Sequence, residues 1–132
     1  MYTFMYTFYD KVMPYDTDYQ GIAHYSSYYR FVTNAISSFA EKKLSKVMAK
    51  YRNLWFVIVE SHAAYKRPLY LGDKIKIVIE PEVKEKEIIT NFKIFRGKEL
   101  TTTGYLAQKV IDRNAWHSVE IPEEIKNIIV GR

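Results

Sequence analysis

The sequence predicts an α+β fold in which an antiparallel sheet of about five strands wraps around one long central helix. A strand-like segment comes first, a segment with helical spacing of apolar residues follows it, and about four strand-like segments complete the chain. An apolar helix face and an apolar sheet face must bury each other, so a sheet curved around the helix is the economical arrangement. We expect residues 1–132 to form a single domain, because the length suits one.

The first strand is predicted at Tyr2–Val12, where tyrosine, phenylalanine and threonine are concentrated. Pro14 ends this strand because proline has no N–H for the ladder. The stretch Met-Tyr-Thr-Phe occurs twice at the beginning, which leaves Met1 and Met5 as candidate start residues. We expect no signal peptide, since this region lacks a basic segment followed by an apolar core.

The long helix is predicted to begin at about Ser26, after a turn-rich loop at 16–21. Ser26 or Ser27 is expected to cap its N-terminus through a side-chain oxygen. The segment 44–51 predicts one or two further helical turns. Apolar residues that recur at helical spacing are Tyr28, Phe31, Val32, Ala35, Ile36 and Phe39.

Strands occupy most of the second half of the chain. Alternating apolar residues identify two of them, and the short Gly97-Lys98 connection indicates that neighbouring strands pair as hairpins. Gly104 predicts a bulge or a close approach of another chain segment. A short helix is expected after Pro122, since acidic residues follow this proline. The predicted strands are Trp55–Tyr65, Lys74–Glu80, Glu87–Arg96 and Leu100–Ile111.

Composition excludes several classes of function. The absence of cysteine rules out disulfides, thiol catalysis and cysteine-based zinc sites, and it is compatible with the cytoplasmic location that we expect. No run of roughly 18 apolar residues predicts a membrane span. The net charge of +5 is dispersed, which is typical of a solvated surface and also suits an anionic ligand. Without a dense basic stripe or an RNA-binding motif, we expect no nucleic-acid partner.

The most informative stretch runs from residue 15 to residue 31. Asp16 and Asp18 precede Gly21, and an aromatic-rich helix start follows. A loop carboxylate beside free helix N–H groups can act as a base or nucleophile while the N–H groups hold an oxyanion. The stretch resembles the D-x-D-x-x-G signature of acyl-CoA thioesterases in the 4-hydroxybenzoyl-CoA thioesterase-like branch of the hotdog superfamily. The stretches 65–68 and 71–73 also resemble that branch, as does the closing Ile-Pro, so the resemblance covers nearly the whole chain.

The resemblance implies catalytic roles for four residues. Asp18, at the second acid position, would be the base or nucleophile, and the backbone N–H of Tyr25 would hold the thioester oxygen. Gly21 would let the loop approach the substrate, or would supply a positive φ. His24 is a candidate general acid or base because histidine titrates near neutrality. The alternatives are that Asp18 only caps a turn and that His24 is a structural hydrogen-bonding group, while Asp16 organises the loop.

Substrate-binding candidates are Tyr28, Glu60 and Arg67. Tyr28 would help to form an aromatic wall of the acyl pocket, and arginine suits the phosphates of coenzyme A. The sequence does not choose among the possible phosphate contacts, each of which is otherwise a solvated surface charge: Lys66, Arg67, Lys93, Arg96 and Lys98. Glu60 and His62 are two residues apart, so they should share one face of a strand. Two such groups without a third ligand do not predict a metal, and we expect neither a metal nor a cofactor.

The sequence departs from the family pattern in two ways that limit which catalytic mechanisms it can use. Some relatives carry Tyr-His where this chain has His24-Tyr25. No acid occurs between Asp18 and Glu41, so a hotdog mechanism that uses a helix glutamate is excluded, and the same absence argues against a dehydratase.

The resemblance therefore implies an acyl-CoA thioester hydrolase with a hotdog fold that releases free CoA and a carboxylic acid. The resemblance also implies a homodimer or homotetramer with the site at the subunit interface, since members of this branch generally dimerise through the sheet, and an exposed sheet edge invites such pairing. The alternatives are a non-catalytic acyl-CoA or acyl-ligand-binding hotdog protein and an assembly module with structural loop acids. The sequence identifies neither the acyl chain nor whether coenzyme A or an acyl carrier protein holds it.

Overall fold

A computed structural model describes residues 4–131. The first two residues of the predicted first strand lie outside this range. A short 3-10 helix, Pro14–Asp16, lies between the first strand and the first α-helix. The elements in chain order are β1 (Tyr6–Lys11), α1 (Tyr25–Lys43), α2 (Ser45–Met48), β2 (Leu54–Tyr65), β3 (Lys74–Lys84), β4 (Glu87–Arg96), β5 (Glu99–Asp112), β6 (His117–Ser118) and α3 (Glu123–Ile129).

The strands form one antiparallel sheet in the order β1-β3-β4-β5-β2, and the short β6 pairs with β5. The predicted hairpins between β3 and β4 and between β4 and β5 are confirmed. β2 pairs with β5 and not with its sequence neighbour β3. β1 and β2 are therefore the two edges of the main sheet, and the α+β arrangement predicted from the sequence is confirmed.

The helix α1 packs across one half of the sheet. It contacts β1 and β3, and its buried face presents Tyr28, Phe31, Val32, Ala35 and Phe39, as the helical spacing predicts. The half of the sheet formed by β5 and β2 receives less cover from this helix. The most deeply buried large side chains that the sheet contributes are Ile77, Ile79, Ile94 and Leu106.

The start of α1 differs from the prediction. The helix begins at Tyr25, and neither Ser26 nor Ser27 is the N-cap, a position that His24 occupies without a side-chain hydrogen bond to the helix backbone. Both serines lie inside the first turn. Ser27 is buried, and its hydroxyl donates instead to the backbone oxygen of Asp16 at 2.7 Å. The predicted serine cap is wrong because the buried loop carbonyl takes the hydroxyl.

The strand β3 is longer than predicted and passes through Pro81. Proline is tolerated at this point because the pairing of β3 with β1 ends at Ile79, so β3 has a free edge beyond it. The short β6 has only two residues and no sequence pattern indicated it.

A buried ion pair joins the loop before α1 to the helix itself. Arg30 Nε and Nη2 donate to the two carboxylate oxygens of Asp16 at 2.6 Å each. The carboxylate also accepts the N–H of Met13, and the backbone oxygen of Asp16 accepts the N–H of His24. Asp16 is 1% exposed, and the hydrogen bond to Asp16 is the main cause that raises the pKa of Arg30. Asp16 organises the loop, as the sequence predicts.

The segment 69–73 holds the other side of the same loop. Ala23 N–H donates to Leu69 O at 2.8 Å, and Val12 N–H donates to Asp73 O at 2.9 Å. The loop therefore lies between the helix on one side and this later segment on the other.

Gly104 lies where β5 passes close to β2. A Cβ atom at this position would be 2.1 Å from the carbonyl oxygen of His62 and 2.6 Å from Cζ of Phe92. The predicted close approach is confirmed. The irregularities of pairing lie elsewhere, near Ile58 in β2 and Phe95 in β4.

Replacing Arg30 by Gln should destabilise the fold by about 2–3 kcal/mol, because Asp16 would keep a buried carboxylate without its partner. Arg30 retains some solvent exposure, which places the loss below that of a fully buried pair. Urea unfolding measures the change. Asp16→Asn combined with Arg30→Gln should cost less than the sum of the two single changes, since neither group is then left charged and unpaired.

Arg67→Gln is the matched control for Arg30→Gln. Arg67 makes an exposed ion pair with Glu99, which should contribute less than about 1 kcal/mol. Equal losses for the two arginines, or full additivity in the double variant, would show that the buried pair is not what organises the loop.

Replacing Gly104 by Ala should destabilise the fold by about 3 kcal/mol, because the added methyl group would have to push the paired strands apart. Gly97→Ala is the control: Gly97 has φ +61° and open space around its Cα, so only the backbone conformation is penalised, by about 1 kcal/mol. Thermal or urea unfolding compares the two. A milder effect at Gly104 than at Gly97 would contradict the close packing.

Candidate active site

An open cleft of about 310 Å³ lies beside the N-terminus of α1. Its walls come from the end of the acid loop, the first turn of α1, and the end of β2 with the residues that follow. Two predicted site residues on α1 and one after β2 meet here. The lining residues are Ile22, Ala23, Tyr25, Tyr28, Tyr65, Lys66, Arg67 and Pro68.

The backbone N–H of Tyr25 is a free donor at this cleft. None of the hydrogen bonds found among residues 4–131 uses it, whereas the neighbouring His24 and Ser27 N–H groups bind the oxygens of Asp16 and His24. The first N–H groups of any helix lack partners within the helix, and the helix dipole places partial positive charge there. The first turn of α1 therefore offers a donor for an oxygen that carries negative charge.

Asp18 lies in the exposed turn that leads into the cleft. Its Oδ1 accepts the N–H of Gln20 at 2.8 Å and that of Ile22 at 3.4 Å, so one carboxylate oxygen caps the turn. Its Oδ2 makes no hydrogen bond within the described part of the chain. Asp18 does not itself line the cleft of this single chain, although Ile22 four residues later does.

Gly21 closes the same turn. Its N–H donates to the backbone oxygen of Asp18 at 3.0 Å, and its φ is +79°. A Cβ added here would meet nothing within 4 Å, so the backbone conformation and not crowding explains the glycine in this chain.

His24 lies between the loop and the helix, half-buried. Its Nδ1 is 2.6 Å from the hydroxyl of Ser26, and both ring nitrogens are within 3.4 Å of the hydroxyl of Ser27. The ring is thus engaged in local hydrogen bonds at the helix start, and it does not line the cleft.

Two tyrosines form an aromatic wall of the cleft. The rings of Tyr28 and Tyr65 meet edge to face with centroids 4.8 Å apart, and the Tyr65 hydroxyl donates to the backbone oxygen of Tyr25 at 3.4 Å. Burial raises the pKa of both Tyr28 and Tyr65, so both hydroxyls are neutral near pH 7. The wall is aromatic and carries no charge near pH 7.

Arg67 and Lys66 lie at the mouth of the cleft, both exposed. Arg67 Nε is 3.4 Å from a carboxylate oxygen of Glu99, a surface ion pair of little strength. Arg96 is committed elsewhere, because its guanidinium binds Asp73 at 2.9 Å and also Glu99. Arg67 is thus better placed than Arg96 to bind an anionic ligand.

Glu60 lies on the opposite face of the sheet from the cleft. It accepts a hydrogen bond from the hydroxyl of Tyr105, which raises the pKa of Tyr105, and the ring of His62 stacks on Tyr105 with centroids 5.6 Å apart. Glu60 and His62 share a strand face, as predicted. Within one chain the sheet lies between Glu60 and the other candidates, and the substrate-binding role of Glu60 stays a prediction.

The sequence patterns did not indicate Arg30 or Tyr65 as members of this region. Arg30 is the only Lys, Arg, Asp or Glu between Asp18 and Glu41, within an otherwise aromatic and apolar helix start, and that isolation was the available signal. The resemblance had placed Arg67 in the substrate site with Tyr28, but no sequence pattern indicated that Tyr65, at the end of β2, would contact Tyr28. Within residues 4–131 no cluster of three His, Asp or Glu residues could hold a metal, and no helix is long and apolar enough to cross a membrane.

The chain resembles two named proteins, one of them over nearly its full length. A protein from Aquifex aeolicus that is named as an esterase is 25% identical over 121 residues, which cover 90% of this chain and 93% of that protein. A 1,4-dihydroxy-2-naphthoyl-CoA hydrolase from Synechococcus is 29% identical over 69 residues, covering 52% of this chain and 46% of the relative.

The fold is shared with solved thioesterases. The crystal structure of a 1,4-dihydroxy-2-naphthoyl-CoA thioesterase from Synechocystis superposes with a TM-score of 0.84, covers 96% of both chains and is 14% identical. This likeness confirms the predicted hotdog fold. Residues 12–129 match the family model of the thioesterase-like superfamily, which spans the acid loop, the helix start and the cleft. The chain therefore belongs to the thioesterase-like superfamily, and the predicted enzyme class of thioesterase is confirmed at the level of the family.

Proposed function

We propose that this protein hydrolyses an acyl-CoA thioester to free CoA and a carboxylic acid. The observation that carries the proposal is the free N–H of Tyr25 at a cleft whose loop also holds the unpaired Oδ2 of Asp18. Family membership and the names of the two similar proteins support the reaction class.

In the proposed mechanism the carbonyl oxygen of the thioester accepts a hydrogen bond from the backbone N–H of Tyr25. Negative charge develops on this oxygen when the carbonyl carbon is attacked, and a helix N-terminal donor then contributes about 3–4 kcal/mol to the transition state. The carbonyl also becomes more electrophilic. No step requires a metal or cofactor.

Asp18 supplies the basic group in this mechanism. As a general base, its free oxygen takes a proton from the water that attacks the carbonyl, and the thiolate of CoA leaves and is protonated. As a nucleophile, the same oxygen attacks the carbonyl carbon, the C–S bond breaks and the thiolate of CoA leaves to be protonated. The mixed anhydride that results is hydrolysed by water, which regenerates the Asp18 carboxylate and releases the acid. Residues 19–40 contain no carboxylate, and the acid of α1, Glu41, lies near the far end of the helix, so no acid at the start of α1 can replace Asp18.

The remaining candidates would bind the substrate. Tyr28 and Tyr65 would contact the acyl group near the thioester, and Arg67 would release Glu99 to bind a CoA phosphate with its planar guanidinium. Gly21 holds the turn that carries Asp18, and His24 supports the helix start through Ser26. We assign His24 no proton transfer.

A second copy of the chain would complete the site. β2 is a 12-residue edge strand, and Ile58 and Val59 on it are 46% and 50% exposed. An exposed apolar edge favours strand pairing with another chain. We propose a homodimer through β2, with a homotetramer as the larger alternative. The cytoplasmic location and the single-domain organisation stay predictions.

Asp18→Asn should lower kcat/KM for acyl-CoA hydrolysis by about 100-fold or more, the usual contribution of a general base. The amide keeps an oxygen that can cap the turn, so the thermal unfolding midpoint should change little. Release of free thiol from a panel of short, long and aromatic acyl-CoAs measures the rate.

Glu82→Gln is the control for the charge change, since Glu82 is exposed on β3, outside the cleft. Equal rates for wild type and Asp18→Asn would remove Asp18 from the mechanism. Binding of acyl-CoA without turnover by the wild type would favour the non-catalytic binding protein, which the turn-capping role of Asp18 Oδ1 also fits.

Ile58→Lys should convert the proposed dimer to a monomer, because each β2 edge would then present an unpaired charge to its partner. Sedimentation velocity at micromolar concentration measures the mass. Thr7→Lys, on the exposed face of the other edge strand, is the control and should leave the dimer intact. A monomeric wild type, or a dimer disrupted only by Thr7→Lys, would contradict pairing through β2.

A further inference from the structure

The segment that links β2 to β3, residues 66–73, is called the strap below. It passes from one side of the sheet to the other, since β5 and β4 lie between the two strands that it links. Its backbone is hydrogen-bonded to the acid loop: the N–H of Ala23 donates to the oxygen of Leu69 at 2.8 Å, and the N–H of Leu71 donates to the oxygen of Gly21 at 3.0 Å. The strap therefore holds the second half of the acid loop.

The loop residues held in this way connect the two proposed reacting groups. Asp18 precedes this stretch and Tyr25 follows it, with residues 21–23 between them. Ile22 also forms a β-bridge with Tyr70 of the strap. The position of the Asp18 carboxylate relative to the Tyr25 N–H thus depends on where the strap lies.

Arg96, the last residue of β4, contacts the strap at three points. Its Nη1 donates to the backbone oxygen of Pro68 and to Oδ2 of Asp73, each at 2.9 Å, and its guanidinium carbon lies 5.6 Å from the centre of the Tyr70 ring. Asp73 Oδ2 also accepts the N–H of Tyr70 at 2.8 Å. The side chains of Arg96 and Asp73 are only 27% and 22% exposed, so water screens this pair in part. One cation thus fixes the strap on both sides of the residues that bind the loop.

A further contact holds the guanidinium itself in place. Its Nη2 donates to a carboxylate oxygen of Glu99, across the turn between β4 and β5. The hydrogen bonds to Asp73 and Glu99 raise the pKa of Arg96, so its charge is retained. Arg96 does not line the cleft, and its influence on a bound substrate must therefore pass through the strap.

We propose that Arg96 is a positioning residue for thioester hydrolysis, an inference that rests on the proposed function. By fixing the strap, it holds the Asp18 carboxylate and the Tyr25 N–H at the separation that attack on the carbonyl carbon requires. A displacement of reacting groups by about 1 Å lowers a rate by roughly 100-fold. Substrate binding depends mainly on the cleft walls, so loss of Arg96 should lower kcat and leave KM nearly unchanged.

The first test measures kcat and KM with the acyl-CoA that the wild type hydrolyses fastest, well below the unfolding temperature of every variant. Arg96→Gln should lower kcat by at least about tenfold and change KM by less than about threefold. Arg96→Lys should recover little, because an ammonium group lacks the planar fork that reaches several partners. Arg113→Gln is the control: Arg113 is exposed, lies over the ring of Trp55 and is outside the cleft, so both constants should stay within about twofold.

Two further measurements separate positioning from general destabilisation. Guanidinium ion at about 50 mM, far below denaturing concentrations, should raise kcat of Arg96→Ala by at least about threefold and leave that of Asp18→Asn unchanged. Asp73→Asn should also lower kcat, and adding it to Arg96→Gln should cost little more, since the two side chains act through one contact.

An unchanged kcat, a rise in KM alone, full additivity with Asp73→Asn, or equal effects of guanidinium ion on Arg96→Ala and Asp18→Asn would overturn the proposal. So would a loss of kcat no larger than the loss of folded protein measured by circular dichroism.

If the wild type hydrolyses no acyl-CoA, the proposed reaction fails separately. Amide hydrogen exchange then tests the strap alone: Arg96→Gln should speed exchange of the Ala23 and Leu71 N–H groups by at least about tenfold, and Arg113→Gln should not. Equal exchange rates in Arg96→Gln and the wild type would show that Arg96 does not hold the strap.

Discussion

The buried ion pair between Asp16 and Arg30 holds together the segments on which the candidate active site is built. Its carboxylate accepts the N–H of Met13 at the end of β1, and its backbone oxygen accepts groups from the first turn of α1. A buried carboxylate without a partner would be costly, so the loop has one favourable position relative to the helix. The same constraint fixes the position of Asp18, which follows Asp16 by two residues in this loop.

The way α1 covers the sheet explains several other features. The helix lies over β1 and β3, and the opposite edge strand, β2, keeps apolar residues that are about half exposed. This asymmetry leaves room for the cleft beside Tyr65 and for the second copy that we propose at the edge. An exposed apolar surface of this kind indicates binding or assembly.

The sequence predicted those features that depend on local residue patterns and missed those that depend on tertiary contacts. The apolar spacing of α1 and the alternation in β3 and β4 predicted elements that the structure contains, and the acid motif predicted the family. The predicted serine N-cap was wrong because a tertiary contact, the hydrogen bond from Ser27 to Asp16, outweighs the local preference of serine for the N-cap position. Arg30 and Tyr65 contact partners that are distant in sequence, Asp16 and Tyr28, so local patterns did not predict their roles. The alternation in β2 predicted that Glu60 and His62 share a face, but alternation alone does not tell which face of a sheet a cleft will use.

The contacts between the acid loop and the segment 69–73 have a consequence for synthesis of the protein. The loop is held by Leu69 and Asp73, which emerge from the ribosome well after Asp18, and β1 has no strand partner until β3 exists. Closing such a long loop costs entropy that only the later strands repay. A nascent chain that ends before residue 69 thus contains the complete acid motif and the whole of α1, but lacks the segment that shapes the site.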